Sequence, residues 1–236
     1  MTSFAQNISI PKVDKLVIST ALLVSSYLVG VLCIGFGIMP ELVDATALNL
    51  LLTFGLLVYH HEGGRRPILM FAAAAYVVGF VAEIVGVQYG VLFGEYSYGR
   101  VLGPKVLGTP FLIGVNWSIL VLSVGVLLQR YIGQAPVWAK ATTGAAILTA
   151  FDFIIEPVAT TLQMWTWIGN TVPAQNYVGW FVVSFLLFTL FFKMKITGPN
   201  RIAGLCFGLL VFFFVSLNLC LETSVDIFEP TLTFLG

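Results

Sequence analysis

Three carboxylic acids in otherwise apolar stretches are the residues of this sequence best suited to chemistry: Glu83, Asp152 and Glu156. Glu83 continues a small-residue stripe at four-residue steps from Ala75 and Gly79, which predicts that it faces other helices. Asp152 and Glu156 are four residues apart, so one helix would present both on one face. Acids buried at one depth repel each other, which favours a neutral form for at least one. A neutral carboxyl beside an ionised one suits general acid and base catalysis.

The composition of the chain sets the surroundings of these acids. Of the 236 residues, 58% are hydrophobic and 9% are charged, which leaves too little polar surface for a soluble domain. We therefore predict an all-α, polytopic membrane helical bundle of about seven transmembrane helices, in a single integral membrane domain that covers residues 1–236. Runs long enough to cross the bilayer lie at 16–39, 42–59, 68–87, 111–128, 138–155, 176–194 and 202–221.

The prolines support these boundaries. All ten lie outside the seven runs, as expected for a residue that removes a helix hydrogen bond. Pro157 is accordingly predicted to end the fifth helix directly after Glu156.

The positions of the charges predict the orientation of the bundle. With a cytoplasmic N-terminus, nine of the eleven lysines and arginines fall on the cytoplasmic side, and the C-terminus lies outside. Nine of the eleven acids fall in the outer half or beyond, a bias that the rule for cations does not explain. Glu222, Asp226 and Glu229 are interpreted as a solvated tail. We expect the chain in a bacterial cytoplasmic membrane.

Aromatic side chains crowd the same predicted side of the membrane as the acids: Tyr96, Tyr98, Trp117, Trp165, Trp167, Tyr177 and Trp180. Their faces could stabilise a transient cation or stack along a polyene, and an interfacial aromatic belt is the alternative interpretation. Asn116 and Asn176 lie at the start of the fourth and sixth helices, where they would either cap the helix or hold a water molecule.

His60, His61 and Glu62 resemble a metal cluster at first sight. Adjacent histidines point in different directions on a helix, and no further ligands are near in sequence, so no metal site is predicted. The formal net charge is +0, which gives no electrostatic reason to expect binding to nucleic acid.

Two stretches of the sequence resemble a known family of membrane enzymes. Residues 83–117 read EIVGVQYGVLFGEYSYGRVLGPKVLGTPFLIGVNW, and residues 152–180 contain DFIIEPVA, WTW and VPAQNYVGW. Together they resemble the CruF-type family of membrane carotenoid hydratases. The sequence differs from the family pattern at Glu156, where the family has Asp before the proline, and at residues 170–172, which replace a stretch of glycine and aromatic residues.

The resemblance implies an enzyme that adds water to the terminal double bond of an acyclic carotenoid end group, giving a tertiary alcohol without a cofactor. Its partners would be an acyclic or monocyclic carotenoid, water and membrane lipid, with no nucleic acid. Glu83, Asp152 and Glu156 are then the candidate catalytic acids; one donates the proton and an ionised one activates the water. The candidate substrate-binding residues are Tyr96, Tyr98, Asn116, Trp117, Trp165, Trp167, Asn176 and Trp180.

Other functions fit parts of the pattern. A lycopene-type carotenoid cyclase begins with the same protonation and then closes a ring instead of admitting water. A proton-coupled membrane transporter would also bury acids among seven helices, and broken helices or repeated halves would favour it. A retinal-binding photoreceptor requires a buried lysine, which the seventh run lacks. A structural partner protein would lose no pigment conversion when the acids are removed.

Overall fold

The computed structural model describes residues 14–221, and its framework is seven long helices. In chain order these are α1 (Lys15–Gly35), α2 (Thr46–Tyr59), α3 (Arg65–Tyr89), α4 (Leu112–Tyr131), α5 (Val137–Thr161), α6 (Ala174–Lys193) and α7 (Ala203–Cys220). Short 3₁₀ turns lie at Pro40–Ala45, directly before α2, and at Ile168–Asn170, before α6. The predicted all-α class is confirmed.

All seven helices are long and apolar enough to cross a membrane when Pro40–Ala45 is counted with α2. The prediction of about seven transmembrane spans is therefore confirmed, and the largest difference from the predicted runs is at the end of α5. The orientation of the bundle and its description as one domain stay predictions. The predicted tail acids Glu222, Asp226 and Glu229 lie outside the described residues.

Helix α5 continues further than its sequence indicates. The prediction that Pro157 ends this helix is wrong, because α5 runs through it to Thr161. Proline removes one backbone donor, a loss that membrane helices tolerate where nearby groups compensate. In the turn after the proline, the hydroxyls of Thr160 and Thr161 also donate hydrogen bonds of 2.8 Å back to the carbonyls of Glu156 and Pro157, within the continuing helix. Glu156 therefore lies within a continuous helix rather than at its end.

Glycines let the two acid-bearing helices approach their neighbours closely. A Cβ atom on Gly79 of α3 would lie 2.4 Å from Trp117 Cγ of α4, and one on Gly144 of α5 would lie 2.5 Å from Phe188 Cδ2 of α6. Neither position has room for a side chain, so glycine sets the helix separation at both contacts. Helices α3 and α5 are thereby each fixed against a partner.

Two short strands connect the segments that follow α3 and α5. Strand β1 (Tyr96–Tyr98) pairs antiparallel with β4 (Trp165–Trp167), and the register places Tyr96 opposite Trp167 and Tyr98 opposite Trp165. Strands β2 (Lys105–Val106) and β3 (Thr109–Pro110) form a separate antiparallel pair between α3 and α4. We call the β1–β4 pair the aromatic ribbon. It lies at the end of the bundle where α3 and α5 end.

Candidate active site

Glu83, in the last two turns of α3, is buried and accepts three hydrogen bonds. Its Oε2 accepts from the Tyr96 hydroxyl at 2.5 Å and from the Tyr98 hydroxyl at 2.7 Å. Its Oε1 accepts from Trp117 Nε1 at 3.1 Å. Hydrogen bonds to an ionised carboxylate are shorter and stronger than neutral ones. Glu83 is thus held in one position by donors from β1 and α4.

Glu156, on α5, is buried in a matching arrangement. Its Oε2 accepts from Trp165 Nε1 at 3.0 Å and from Trp167 Nε1 at 2.7 Å. Its Oε1 accepts from Asn176 Nδ2 at 3.3 Å. An indole N–H is a donor that does not exchange its proton in ordinary acid–base chemistry, so these tryptophans position Glu156 without competing for its proton.

The aromatic ribbon supplies both sets of donors because side chains two residues apart in a strand point to the same face. The two tyrosines of β1 and the two tryptophans of β4 therefore face the helices together. Tyr96 packs against Trp167 with ring centroids 5.0 Å apart. Ser97 and Thr166, the paired residues between them, are exposed. Each strand of the ribbon thus holds one glutamate.

The two tyrosines that bind Glu83 remain hydrogen-bond donors at neutral pH. Burial raises the pKa of both Tyr96 and Tyr98, and the neighbouring Glu83 carboxylate raises them further. Lys105 Nζ donates to the Tyr98 carbonyl and so fixes the backbone of β1. The hydrogen bonds therefore run in one direction, from the tyrosine hydroxyls to Glu83.

Asp152 lies one helical turn before Glu156 and is completely buried. Its Oδ2 accepts from Asn176 Nδ2 at 2.6 Å, and the same amide nitrogen reaches Glu156. Its Oδ1 has no hydrogen-bond partner among residues 14–221. Glu83 and Glu156 line one cavity, and Asn176 links Asp152 to Glu156. The predicted meeting of the acids from the third and fifth spans is therefore seen.

Glu83 and Glu156 lie on the wall of one cavity whose other lining is mainly apolar. Two predicted site residues, Asp152 and Trp117, do not line it. Asp152 is linked to the cavity through Asn176, and Trp117 stacks on Trp180 with ring centroids 4.4 Å apart. The other predicted site residues all line the cavity: Glu83, Tyr96, Tyr98, Asn116, Glu156, Trp165, Trp167, Asn176 and Trp180.

Comparison with known proteins assigns the chain to a family. Residues 36–233 match the family described as "Carotenoid biosynthesis protein". The chain belongs to this family. A curated relative, bisanhydrobacterioruberin hydratase from Haloarcula japonica, is 32% identical over 133 residues, which are 52% of this chain and 45% of the relative. The match thus covers less than half of that relative's length. No solved structure matches the chain significantly.

The family assignment confirms the resemblance found in the sequence motifs. Those motifs correspond to the two halves of the site, because residues 83–117 contain Glu83 and the tyrosines that bind it. Residues 152–180 contain Asp152, Glu156 and the tryptophan and asparagine donors. The family-like segments are therefore the segments that build the acid site.

The proposed capping roles of Asn116 and Asn176 are wrong. Helices α4 and α6 begin at Leu112 and Ala174, so both asparagines lie inside a helix rather than at its cap. Asn176 instead donates to both acids of α5, and Asn116 lines the cavity. A role for either in holding water stays a prediction.

Three of the aromatic residues do not face outward from the bundle, as members of an interfacial belt would. Trp117, Trp167 and Trp180 are buried inside the bundle, and the first two donate hydrogen bonds to the glutamates. Tyr177 differs from them, because its ring packs against Phe153 with centroids 5.7 Å apart and does not line the cavity. The sequence identified these residues by type and side, but not the donor role of their N–H and O–H groups.

The histidine-containing segment lies apart from the acids, after the end of α2. The His60 ring lies 2.9 Å from Ser19 Oγ, and Glu62 forms an ion pair with Arg201 at 2.8 Å. Burial lowers the pKa of His61. Within residues 14–221, no group of three His, Cys, Asp or Glu side chains is arranged to hold a metal ion.

Sequence reasoning missed a polar group on the cavity wall formed by α1 and α2. Tyr27, Thr46 and Asn49 all line the cavity. A signal was present, because Thr46, Asn49 and Thr53 follow the three- and four-residue steps of one helix face within an apolar run. A polar stripe of this kind in a membrane helix indicates a face that contacts protein or ligand rather than lipid.

Proposed function

We propose that this chain is an enzyme of carotenoid biosynthesis that adds water to the terminal double bond of an acyclic carotenoid end group. The observation that carries the proposal is a largely apolar cavity whose wall holds two buried glutamates, Glu83 and Glu156. An apolar wall accepts a hydrocarbon end group, and the acids supply the proton transfer that hydration needs. The family and the hydratase name of the curated relative support the same reaction.

The substrate would reach this cavity from the surrounding lipid. A carotenoid is as apolar as the hydrocarbon of the bilayer, so it would bind directly from the membrane without first passing into water. Its end group would enter the cavity sideways between helices, while water would enter from the end of the bundle that carries the aromatic ribbon. The acids lie near that end, where both reactants can meet.

We assign the proton donor to Glu156, with Asp152 as its partner. For two buried carboxyls one turn apart, a single shared negative charge costs less free energy than two charges, because two charges repel each other. The pair has places for a proton, because Asp152 Oδ1 is unpartnered within residues 14–221 and Glu156 Oε1 has a long contact of 3.3 Å with Asn176. Glu156 lines the cavity and Asp152 does not, so Glu156 is the member that reaches the alkene.

We assign the stabilisation of the cation to Glu83 and the neighbouring aromatic rings. Three donors favour the ionised form of Glu83, which opposes the cost of its burial. A fixed negative charge on an apolar wall attracts the positive carbon that forms on protonation. The face of Trp180, which also lines the cavity, adds a cation–π contribution.

The proposed reaction balances without an oxidant or reductant. The O–H bond of Glu156 breaks as a C–H bond forms at the terminal alkene, and the tertiary carbon becomes positive. The oxygen of a water molecule then bonds to that carbon. One proton of this water restores the carboxyl of Glu156, so the sum is one water added per reacted end.

Two other functions predict different results. A lycopene-type cyclase would share the protonation step but would close a ring at the cation. A proton-coupled transporter is less consistent with the helices, because each of the seven described spans is continuous rather than broken at its centre.

Expression in a lycopene-accumulating bacterial host, followed by mass spectrometry of the pigments, tests the proposal. The expected product carries one additional water for each reacted end, and a host with empty vector shows none. A product of unchanged mass with new rings would support the cyclase. A pigment unchanged in mass and retention, with the protein present in the membrane, would contradict the proposed function.

A further inference from the structure

The polar group that lines the cavity on α1 and α2 comes from different helices than the acids. Tyr27 is on α1, whereas Thr46 and Asn49 are on α2, and all three line the cavity that contains Glu83 and Glu156. These side chains therefore face the same space as the acids. No step proposed for Glu83, Asp152 or Glu156 involves these side chains.

The hydrogen bonds around Tyr27 show which groups it can still offer to a ligand. Thr53 Oγ1 donates its single hydrogen to the Asn49 carbonyl at 2.8 Å. The Tyr27 hydroxyl, 3.3 Å from the same Thr53 oxygen, must therefore be the donor in that contact. The Tyr27 oxygen has two lone pairs, and the Asn49 side chain uses one of them at most, so this buried hydroxyl can still accept a hydrogen bond.

The Asn49 amide is held in a matching way. Ser26 Oγ shares its single hydrogen between Asn49 Oδ1 and the Leu23 carbonyl, each at 2.9 Å, and the Asn49 side chain also interacts with the Tyr27 hydroxyl. The Nδ2 group at the other end of the amide carries two hydrogens. Together with the hydroxyl of Thr46, the wall therefore offers both donors and acceptors within an otherwise apolar cavity.

We propose that Tyr27, Thr46 and Asn49 hold the water molecule that attacks the carotenoid cation. A buried water typically makes about three hydrogen bonds, and these residues can provide one donor and two acceptors. With its hydrogens bound by Tyr27 and Thr46, the water directs a lone pair at the tertiary carbon. The C–O bond forms from that lone pair, and the released proton restores the Glu156 carboxyl. This inference rests on the proposed function.

The proposal gives these residues control over the product rather than over proton transfer. A cation that meets no held water loses a proton from a neighbouring carbon instead, which returns the proton to the enzyme and yields an alkene of unchanged mass with a shifted double bond. Tyr27, Thr46 and Asn49 are therefore positioning residues. Their loss should change the ratio of hydrated to isomerised pigment.

The test compares products in the lycopene-accumulating host. Asn49→Leu is expected to lower the hydrated fraction of the converted pigment about tenfold and to raise the isomerised fraction, since one donor to the water is lost. Asn218→Leu is the matched control, because Asn218 binds the Ile154 and Phe214 carbonyls and does not line the cavity. Its hydrated fraction should equal that of the wild type.

Changes of a single group keep the test decisive if Asn49→Leu fails to accumulate. Thr46→Val removes a hydroxyl and should lower the hydrated fraction, whereas Thr46→Ser keeps it and should not. Tyr27→Phe should act as Thr46→Val does. An unchanged hydrated fraction in these variants would overturn this inference alone. A wild-type chain that forms no hydrated pigment would overturn the proposed function, and this inference with it.

Discussion

Glu83 and Glu156 accept equivalent sets of hydrogen bonds from chemically different partners. Two tyrosine hydroxyls and one indole N–H bind Glu83, whereas two indole N–H groups and one amide bind Glu156. The second difference is a neighbouring acid. Asp152 lies one turn from Glu156 and shares Asn176 with it. Helix α3 carries no acid other than Glu83.

This comparison shows how two buried glutamates can perform different steps. The donors around Glu83 include a 2.5 Å hydrogen bond, and charge-assisted bonds of this kind favour a permanent anion. The donors around Glu156 favour its anion, but electrostatic repulsion from Asp152 opposes them. This repulsion favours one proton shared between Asp152 and Glu156. The ribbon thus positions both carboxyls, and in the proposed mechanism the neighbouring acid sets which one carries the proton.

Removal of the proposed proton donor should have the largest effect on hydration. Glu156→Gln keeps the side-chain shape but removes the acid, so hydration should fall about 1000-fold, as expected for loss of a general acid. Pigment conversion per membrane-inserted protein measures this. Glu95→Gln, at an exposed acid near the ribbon, is the matched control and should retain activity. Conversion above a tenth of wild type in Glu156→Gln would show that another group donates the proton.

Removal of the proposed anion should have the next largest effect. Glu83→Gln keeps an acceptor oxygen but loses the charge that stabilises the cation, so hydration should fall about 100-fold. The same pigment assay applies, with the thermal unfolding temperature in detergent measured alongside. If the variant unfolds as the wild type does and converts pigment normally, the role assigned to Glu83 is wrong.

Removal of the partner acid should have a smaller effect. Asp152→Asn leaves Glu156 in place but removes the repulsion that favours its protonated form, so hydration should fall about tenfold. Asp44→Asn, at an exposed ion pair with Arg100, is the control and should have little effect. Unchanged activity in Asp152→Asn would exclude the proposed role of that residue.

Removal of one ribbon donor from each glutamate should have effects no larger than the loss of Asp152, and these effects are the most informative. Tyr98→Phe deletes a 2.7 Å bond to Glu83 and should lower hydration about tenfold, because the anion loses a donor. Trp165→Phe deletes a 3.0 Å bond to Glu156 and should lower it less than about threefold, because the protonated acid needs that donor less.

Matched controls exist for both changes. Tyr89→Phe and Trp138→Phe alter exposed aromatic residues and should leave conversion unchanged. Initial rates of pigment conversion in isolated membranes separate the two ribbon variants. Equal losses in Tyr98→Phe and Trp165→Phe would show that the two glutamates do not differ in the way proposed.

The bundle and the positions of the acids could be predicted because their signals are local. Hydrophobic runs indicate the spans, and the four-residue spacing of Asp152 and Glu156 places them on one face of a helix. The stripe of Ala75, Gly79 and Glu83 likewise predicted the inward face of α3, which is buried at all three positions.

The ribbon could not be predicted because its strands are short and distant in sequence. Three-residue strands give almost no propensity signal, and their pairing depends on where α3 and α5 end in space. The alternation in Tyr96-Ser97-Tyr98 and in Trp165-Thr166-Trp167 was visible, but it does not identify the partner strand. The end of α5 was mispredicted at Pro157 because a membrane helix can continue past a proline.

Infrared spectroscopy of the membrane-inserted protein at neutral pH shows which acids carry the proton, because a protonated carboxyl and a carboxylate absorb at different frequencies. We expect a protonated-carboxyl band that persists in Glu83→Gln and disappears when Asp152→Asn and Glu156→Gln are combined. A band that disappears in Glu83→Gln and persists in the combined variant would place the proton on the other glutamate and contradict the proposed mechanism.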